Sequence, residues 1–259
     1  MSAEPTVLTA RDGAVVTVTL NRPERRNGLA GDMLERLFET LSELARDATA
    51  TVVVLRGAGE HFCVGADIKA YPDGVKGKTD FAHVARLYHI STLLHEMPQV
   101  TIAAIDGSCA GAGLGWAAAC DFRFASDRVV FATAFLKVGV AGDMGTAWSL
   151  VQAVGPARAR ELMFFPEKFG AEDARGYGLV TRIFAPAALH AETARLAQEL
   201  AGRSRLALAA MKANFLSVER VQGLRDYIDI EGARHTHIVQ SDETTASFRA
   251  FADGAGKTA

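Results

Sequence analysis

Residues 101–126 read TIAAIDGSCAGAGLGWAAACDFRFAS. A strand-like run, TIAAID, passes into Gly107, Gly111, Gly113 and Gly115, then an alanine-rich helical stretch, then a second strand pattern, DFRFAS. From Val100 to Cys120 the only charge is Asp106, and the stretch is long enough to mimic a membrane span. Its glycines and flanking strand patterns predict instead a strand, a tight loop and the start of a buried helix. Small residues at such a junction let backbone N–H groups approach a ligand, and the helix that follows leaves its first amides unpaired.

The same unit occurs once upstream. TVVVLRG (51–57) is a continuous apolar run of the kind a strand buried on both faces shows, and the loop GAGEHFCVGADIKAY (57–71) follows it. Two such loops facing each other would supply two convergent N–H donors, the geometry of an oxyanion hole. Taken singly, their glycines equally serve tight turns and close packing. Further out, VLTARDGAVVTVTL (7–20) predicts two strands around Asp12-Gly13. Helical spacing from Gly31 puts Met33, Leu34, Leu37, Leu41, Leu44 and Ala45 on one face. Residues 80–96 predict another helix, with Val84, Leu87, Tyr88, Ser91, Leu94 and His95 aligned. Beyond Gly145 only LVTRIF (179–184) keeps strand character, and helices are predicted over 144–154, 156–165, 187–201, 204–217 and 221–239. Strands alternating with helices predict an α/β fold with parallel strands, with a core over residues 1–185 and a helical region over 186–259.

A chain of 259 residues buries about three quarters of its unfolded surface. With 49% hydrophobic and 22% charged residues it is not disordered, and a net charge of −2 without a basic block argues against nucleic acid as a partner. Cys63, Cys109 and Cys120 form an odd set without framework spacing, and the N-terminal stretch lacks a signal-peptide pattern. A reducing cytoplasm, with no membrane association, is the expectation. His235-x-His237 has no third ligand at suitable spacing, so no metal site is expected.

Together the two loops resemble those of the crotonase, or enoyl-CoA hydratase/isomerase, superfamily. NRPERRNGL (21–29) resembles its N-terminal signature, VVVLRGAGEHFCVGADIK (52–69) its first oxyanion loop, and IAAIDGSCAGAGLGWAAACDFRFAS (102–126) its second. VGVAGDMGTAWSLVQAVGPARARELM and EDARGYGLVTRIF match the segments that follow in the family. The resemblance implies a spiral of β-β-α turns with a helical C-terminal trimerisation region, assembled as a homotrimer or a hexamer. It implies an acyl-CoA substrate, with coenzyme A part of the substrate and no separately bound cofactor. It also implies that the backbone N–H groups of Ala66 and Ala112 hold the thioester oxygen, and that Arg25, Arg26 and Lys69 lie near the CoA phosphates.

The chain departs from the hydratases of that superfamily at two places. The two glutamates of hydration would fall at positions 115 and 135, which here are Gly115 and Phe135. Neither carries a proton, so isomerisation, or substitution or hydrolysis of an acyl- or aryl-CoA, is expected ahead of plain hydration. Asp143 stands where dienoyl-CoA isomerases and 4-chlorobenzoyl-CoA dehalogenase carry an aspartate, and is the candidate acid–base or nucleophilic residue. It also suits the cap of a helix starting near Met144. The dehalogenase's partner histidine falls at Tyr88, with His89 one place on.

Three alternatives stay open from sequence. The chain could be a true hydratase using other residues, or a CoA-ester-binding protein without turnover. Gly107-Ser108-Cys109-Ala110-Gly111 also has the form of a nucleophile elbow, which with a later Asp and His190 would suit an α/β-type hydrolase.

Overall fold

The computed structural model describes residues 4–29, 32–70, 84–220, 223–242 and 244–246. Strands β1 (Val7–Asp12) and β2 (Val15–Leu20) form an antiparallel hairpin, and helix α1 (Met33–Arg46) leads to β3 (Val52–Gly57). Helix α2 (Ile90–Glu96) precedes β4 (Val100–Ile105), the short β5 (Ser108–Ala110) and α3 (Ala112–Ala119). β6 (Phe122–Ser126), β7 (Val130–Ala132), α4 (Thr146–Phe164), α5 (Ala171–Gly176) and β8 (Arg182–Phe184) follow. The chain then runs through α6 (Pro186–Ala201), α7 (Arg205–Val218) and α8 (Leu224–Val239).

The large sheet has the order β1-β2-β3-β4-β6-β8, parallel beyond the first hairpin. A second, two-stranded sheet pairs β5 with β7, and single bridges Cys63↔Cys109 and Phe131↔Phe169 carry it one step further on each side. Each turn of chain thus passes from the large sheet to the small one and then into a helix or loop, the spiral of β-β-α turns that the resemblance implies. TIAAID is β4, and the glycine-rich stretch after it is a short strand and a helix of eight buried residues. Among the described residues no helix is long and apolar enough to cross a membrane.

The large sheet is covered on both faces, which is why β3 reads as an unbroken apolar run. One face carries Val16, Val18, Leu20, Val53, Leu55, Ala103 and Ile105, under Met33, Leu37 and Leu41 of α1 and Ile90 and Leu94 of α2. The other carries Val15, Val52, Val54, Ile102, Ala104 and Phe124, under Leu189, Leu196 and Ala197 of α6. α7 is moored by Lys212, whose Nζ lies 2.8 Å from the Asp121 carboxylate, 2.9 Å from Gln99 O and 3.3 Å from Leu94 O.

One local expectation is corrected. Of the helix predicted over 80–96, residues 80–83 lie outside the described residues; Val84 and Ala85 are helical, and a 3-10 turn, Arg86–His89, then interrupts the helix before α2. That tighter winding shifts the phase of the stripe: Leu87, Ser91 and Leu94 are buried while Tyr88 is 43% exposed. The helices predicted over 144–154 and 156–165 are found as the two segments of α4, which begins at Thr146 and breaks at Gly155 (φ 76°, ψ 162°) before Pro156.

Candidate active site

The first glycine-rich loop is fixed from below by NRPERRNGL. Asn27 is fully buried; its amide donates to Ala58 O (3.0 Å) and His61 O (2.7 Å), and its Oδ1 accepts from Arg22 N–H (2.9 Å). Arg22 reaches the Gly28 carbonyl and the Asp67 carboxylate. A parallel bridge joins Leu29 to Ala66: Leu29 N–H donates to Gly65 O (2.8 Å) and Asp67 N–H to Leu29 O (3.0 Å). These bonds flank Ala66, so its own N–H faces the other way, and among the described residues it has no acceptor.

The second loop is laid against the first. Ala110 N–H donates to Cys63 O (2.8 Å), Cys63 N–H to Ser108 O (3.1 Å), and Ser108 N–H to His61 Nδ1 (3.1 Å), which leaves the His61 proton on Nε2. Burial, with Arg26 nearby, holds His61 below the usual imidazole range. The glycines permit this contact. A Cβ on Gly65 would stand 3.0 Å from Ala110 O and 3.3 Å from Ala112 N, and one on Gly113 would stand 2.6 Å from Cys63 O. Ala112 is the first residue of α3, so its N–H has no intrahelical acceptor, and Gly111 before it has no side chain to offer. The two free amides of Ala66 and Ala112 therefore belong to loops in direct contact.

Asp143 lies in the turn that leads into α4. Its Oδ1 is buried and has no hydrogen-bond partner among the described residues. Burial raises its carboxyl above the usual range. Its charge reaches Cys63, whose thiol is pushed up to about 12, chiefly by burial and further by Asp143. The helix-cap expectation is corrected here: α4 begins at Thr146, its cap is Gly145, and no side chain caps it. Phe135 sits between this turn and the second loop. A Cβ on Gly111 would be 3.9 Å from its Cε1, and one on Gly142 would be 3.9 Å from its Cδ2. Gly115 faces the same turn, and any side chain there would begin 2.5 Å from Thr146 Oγ1.

Arg25 and Arg26 are exposed at the end of the 3-10 turn Pro23–Arg25, next to the first loop through Val64 N–H to Arg26 O (3.3 Å). The backbone of Lys69 lies in the 3-10 turn Ile68–Ala70, and its side chain is outside the described residues. His89 contacts Thr92 Oγ1 (3.1 Å) on the surface. Cys109 is fully buried in β5, and burial raises its thiol well above the usual range, so it is not the exposed nucleophile of an elbow. A cavity of about 340 Å³ between α4 and α7 holds none of these residues, and its Lys212 and His95 are already paired with Asp121 and Glu219.

Asn27, which braces the first loop, and Ser91 and Thr146, which hydrogen-bond to the Asp143 turn, do not stand out as candidate residues in the sequence. Asn27 lies in the quoted signature and Ser91 on the predicted helix face, but the partners of both are set by the fold.

The model of the enoyl-CoA hydratase/isomerase family matches residues 10–256. The chain belongs to that family. The trans-2-decenoyl-acyl-carrier-protein isomerase of Streptococcus mutans is 30% identical over 245 residues, 93% of each chain. The 4-chlorobenzoyl coenzyme A dehalogenase-1 of Arthrobacter sp is 32% identical over 190 residues, 72% of this chain and 69% of that protein. The crystal structure of an enoyl-CoA hydratase from Bacillus anthracis superposes with a TM-score of 0.89 at 25% identity, covering 96% of this chain and 97% of that one. The enoyl-CoA hydratase/isomerase family acts on acyl-CoA substrates, and this member is an enzyme of that type.

Proposed function

We propose that the chain isomerises an enoyl thioester, with Asp143 carrying a proton between two carbons and the Ala66 and Ala112 N–H groups holding the thioester oxygen. Asp143, ionised, takes a proton from the carbon next to the thioester, and the electron pair moves onto the thioester oxygen, where the two amides stabilise it. The carboxyl then returns the proton two carbons further on, the pair moves back, and the double bond has shifted by one position. The observation that carries this reading is the buried, unpartnered Asp143 Oδ1 beside the first loop. Burial raises its proton affinity, which suits a group that must both take and return a proton. Gly115 and Phe135, where the resemblance puts the hydratase glutamates, support proton transfer over hydration.

Asp143→Asn tests this on 3-hexenoyl-CoA. Turnover is expected to fall about 10²- to 10⁴-fold with little change in binding of coenzyme A; full turnover would overturn the assignment. Ala66→Pro removes an amide that has no acceptor among the described residues, and is expected to lower turnover about 10²- to 10³-fold.

The similarity to the Arthrobacter dehalogenase favours a second reading, in which ionised Asp143 attacks an aryl carbon. Against it stands the raised proton affinity of Asp143, which a shuttle needs in order to hold and return a proton and an attacking carboxylate does not use. Arg25 and Arg26, with Lys69, would meet the CoA phosphates; coenzyme A enters as part of the substrate. Exposed Phe164, Phe165, Met211, Phe215, Leu224 and Ile228 support a homotrimer or a dimer of trimers. The three unpaired buried cysteines support a reducing compartment, the cytoplasm.

A further inference from the structure

The turn that presents Asp143 is held in a conformation that its own residues do not favour. Gly142 (φ 129°), Met144 (φ 49°) and Gly145 (φ 65°) all have positive φ, and methionine has no local reason to adopt it. Three contacts grip the turn. Ser91 Oγ on α2 donates to Met144 O at 2.6 Å in a buried bond. Thr146 donates twice to Asp143 O, from its N–H (3.0 Å) and its Oγ1 (2.8 Å). On the third side α3 presents Gly115, where a Cβ would stand 2.5 Å from Thr146 Oγ1 and 3.1 Å from both Met144 Cβ and Met144 O.

With the carbonyls of residues 143 and 144 drawn to Thr146 and Ser91, the Asp143 carboxyl is left without a bond of its own at Oδ1, within reach of Cys63 for its charge to raise that thiol. It forgoes the bond an aspartate readily makes there. The first amides of α4 have no side-chain cap, yet Asp143, two residues before the cap position, does not turn back to supply one. Its Oδ1 stays buried and unpartnered.

We propose that Ser91 and Thr146 are positioning residues, which lock the 142–145 turn so that Asp143 faces the two glycine-rich loops and does not cap α4. Their bearing on turnover rests on the isomerase reading of Asp143; their effect on the carboxyl itself does not. The fit at Gly115 belongs to the same device, because only a residue without a side chain lets Thr146 and Met144 sit this close.

The test follows the Asp143 carboxyl by carbon NMR in the full chain labelled at aspartate, with Asp143→Asn to assign the resonance. In the parent protein Asp143 is expected to titrate above the other aspartates. Ser91→Ala and Thr146→Val should each bring it down toward them, and Thr146→Ser, which keeps the hydroxyl, should restore it. On 3-hexenoyl-CoA the first two variants should lose about 10- to 100-fold in kcat with KM changed less than about twofold. A hydroxyl that only supported the fold would lower the melting temperature and leave the titration where it was. Should Ser91→Ala fail to fold, Thr146→Val carries the test, since it removes only the Oγ1 bond to Asp143 O at nearly unchanged volume. An Asp143 titration unchanged in folded Thr146→Val would overturn the proposal. Full turnover by Asp143→Asn would overturn the isomerase reading instead, and the titration would still decide the role of the two hydroxyls.

Discussion

Asp143 is a residue the fold carries at a loss. Its carboxyl binds a proton more tightly in the folded state than at the unfolded value of 3.8, so between those values the folded state holds the extra proton. Stability on its account is highest below pH 3.8, falls as pH rises through the window, and stays reduced above the raised value. Asp143→Asn is therefore expected to be more stable than the parent at pH 7, with the difference shrinking toward about pH 4. Urea titrations at the two pH values check the sign. Gly115 is the converse case: Gly115→Glu should not install hydration, because its Cβ meets Thr146 and Met144 before the carboxylate reaches any substrate. A loss of about 3 kcal/mol in stability, with no hydratase activity on crotonyl-CoA, is expected. The two glycine-rich loops were legible in sequence because small residues at strand ends are a local signal, whereas Asp143 was singled out only by the family resemblance. The grip of Ser91 on Met144 was not legible, since the partners are 53 residues apart and nothing local marks either one.

Elements were legible where a period ran long enough to repeat. α1, with Met33, Leu37, Leu41 and Leu44 buried in register, and the apolar runs of β3 and β4 follow from spacing alone. β5, β7 and α5 are three to six residues long and carry no period, so only their packing defines them. The 3-10 turn before α2 escaped for a similar reason: one tight turn moves Tyr88 to the surface without changing the composition. The break in α4 was visible as Gly155-Pro156, and its backbone angles lie in a region that glycine alone occupies readily. Gly155→Ala is expected to cost about 2 kcal/mol, read as a shift in the urea midpoint without a change in slope.

For the whole molecule, the helices after Ala201 are joined to the α/β body by few polar links, of which Lys212 is the most buried. Its amine closes Asp121, Gln99 and Leu94 around one charge, and Asp121 in turn accepts from Thr101 N–H (2.7 Å) and Thr101 Oγ1 (3.0 Å). Lys212→Met should cost about 3 to 5 kcal/mol by leaving the carboxylate and carbonyls unpaired. Hydrogen exchange should then accelerate in α7 and α8 well before β3 and β4. Protein concentration should matter too: if the exposed aromatic residues of α4 and α7 are covered by other copies, light scattering on a sizing column gives three or six times the chain mass.

The mutual seating of the two glycine-rich loops has a practical consequence for anyone reshaping this enzyme. Gly65 fits because of Ala112, and Gly113 fits because of Cys63, so neither loop has a spare atom's width to yield to a new substrate. Variation in what is accepted must come from walls that are not shared between the loops. Leu136, Val138 and Val140, about half exposed on the segment that carries Phe135, are not part of the contact between the loops, and a library confined to them is expected to leave that contact intact.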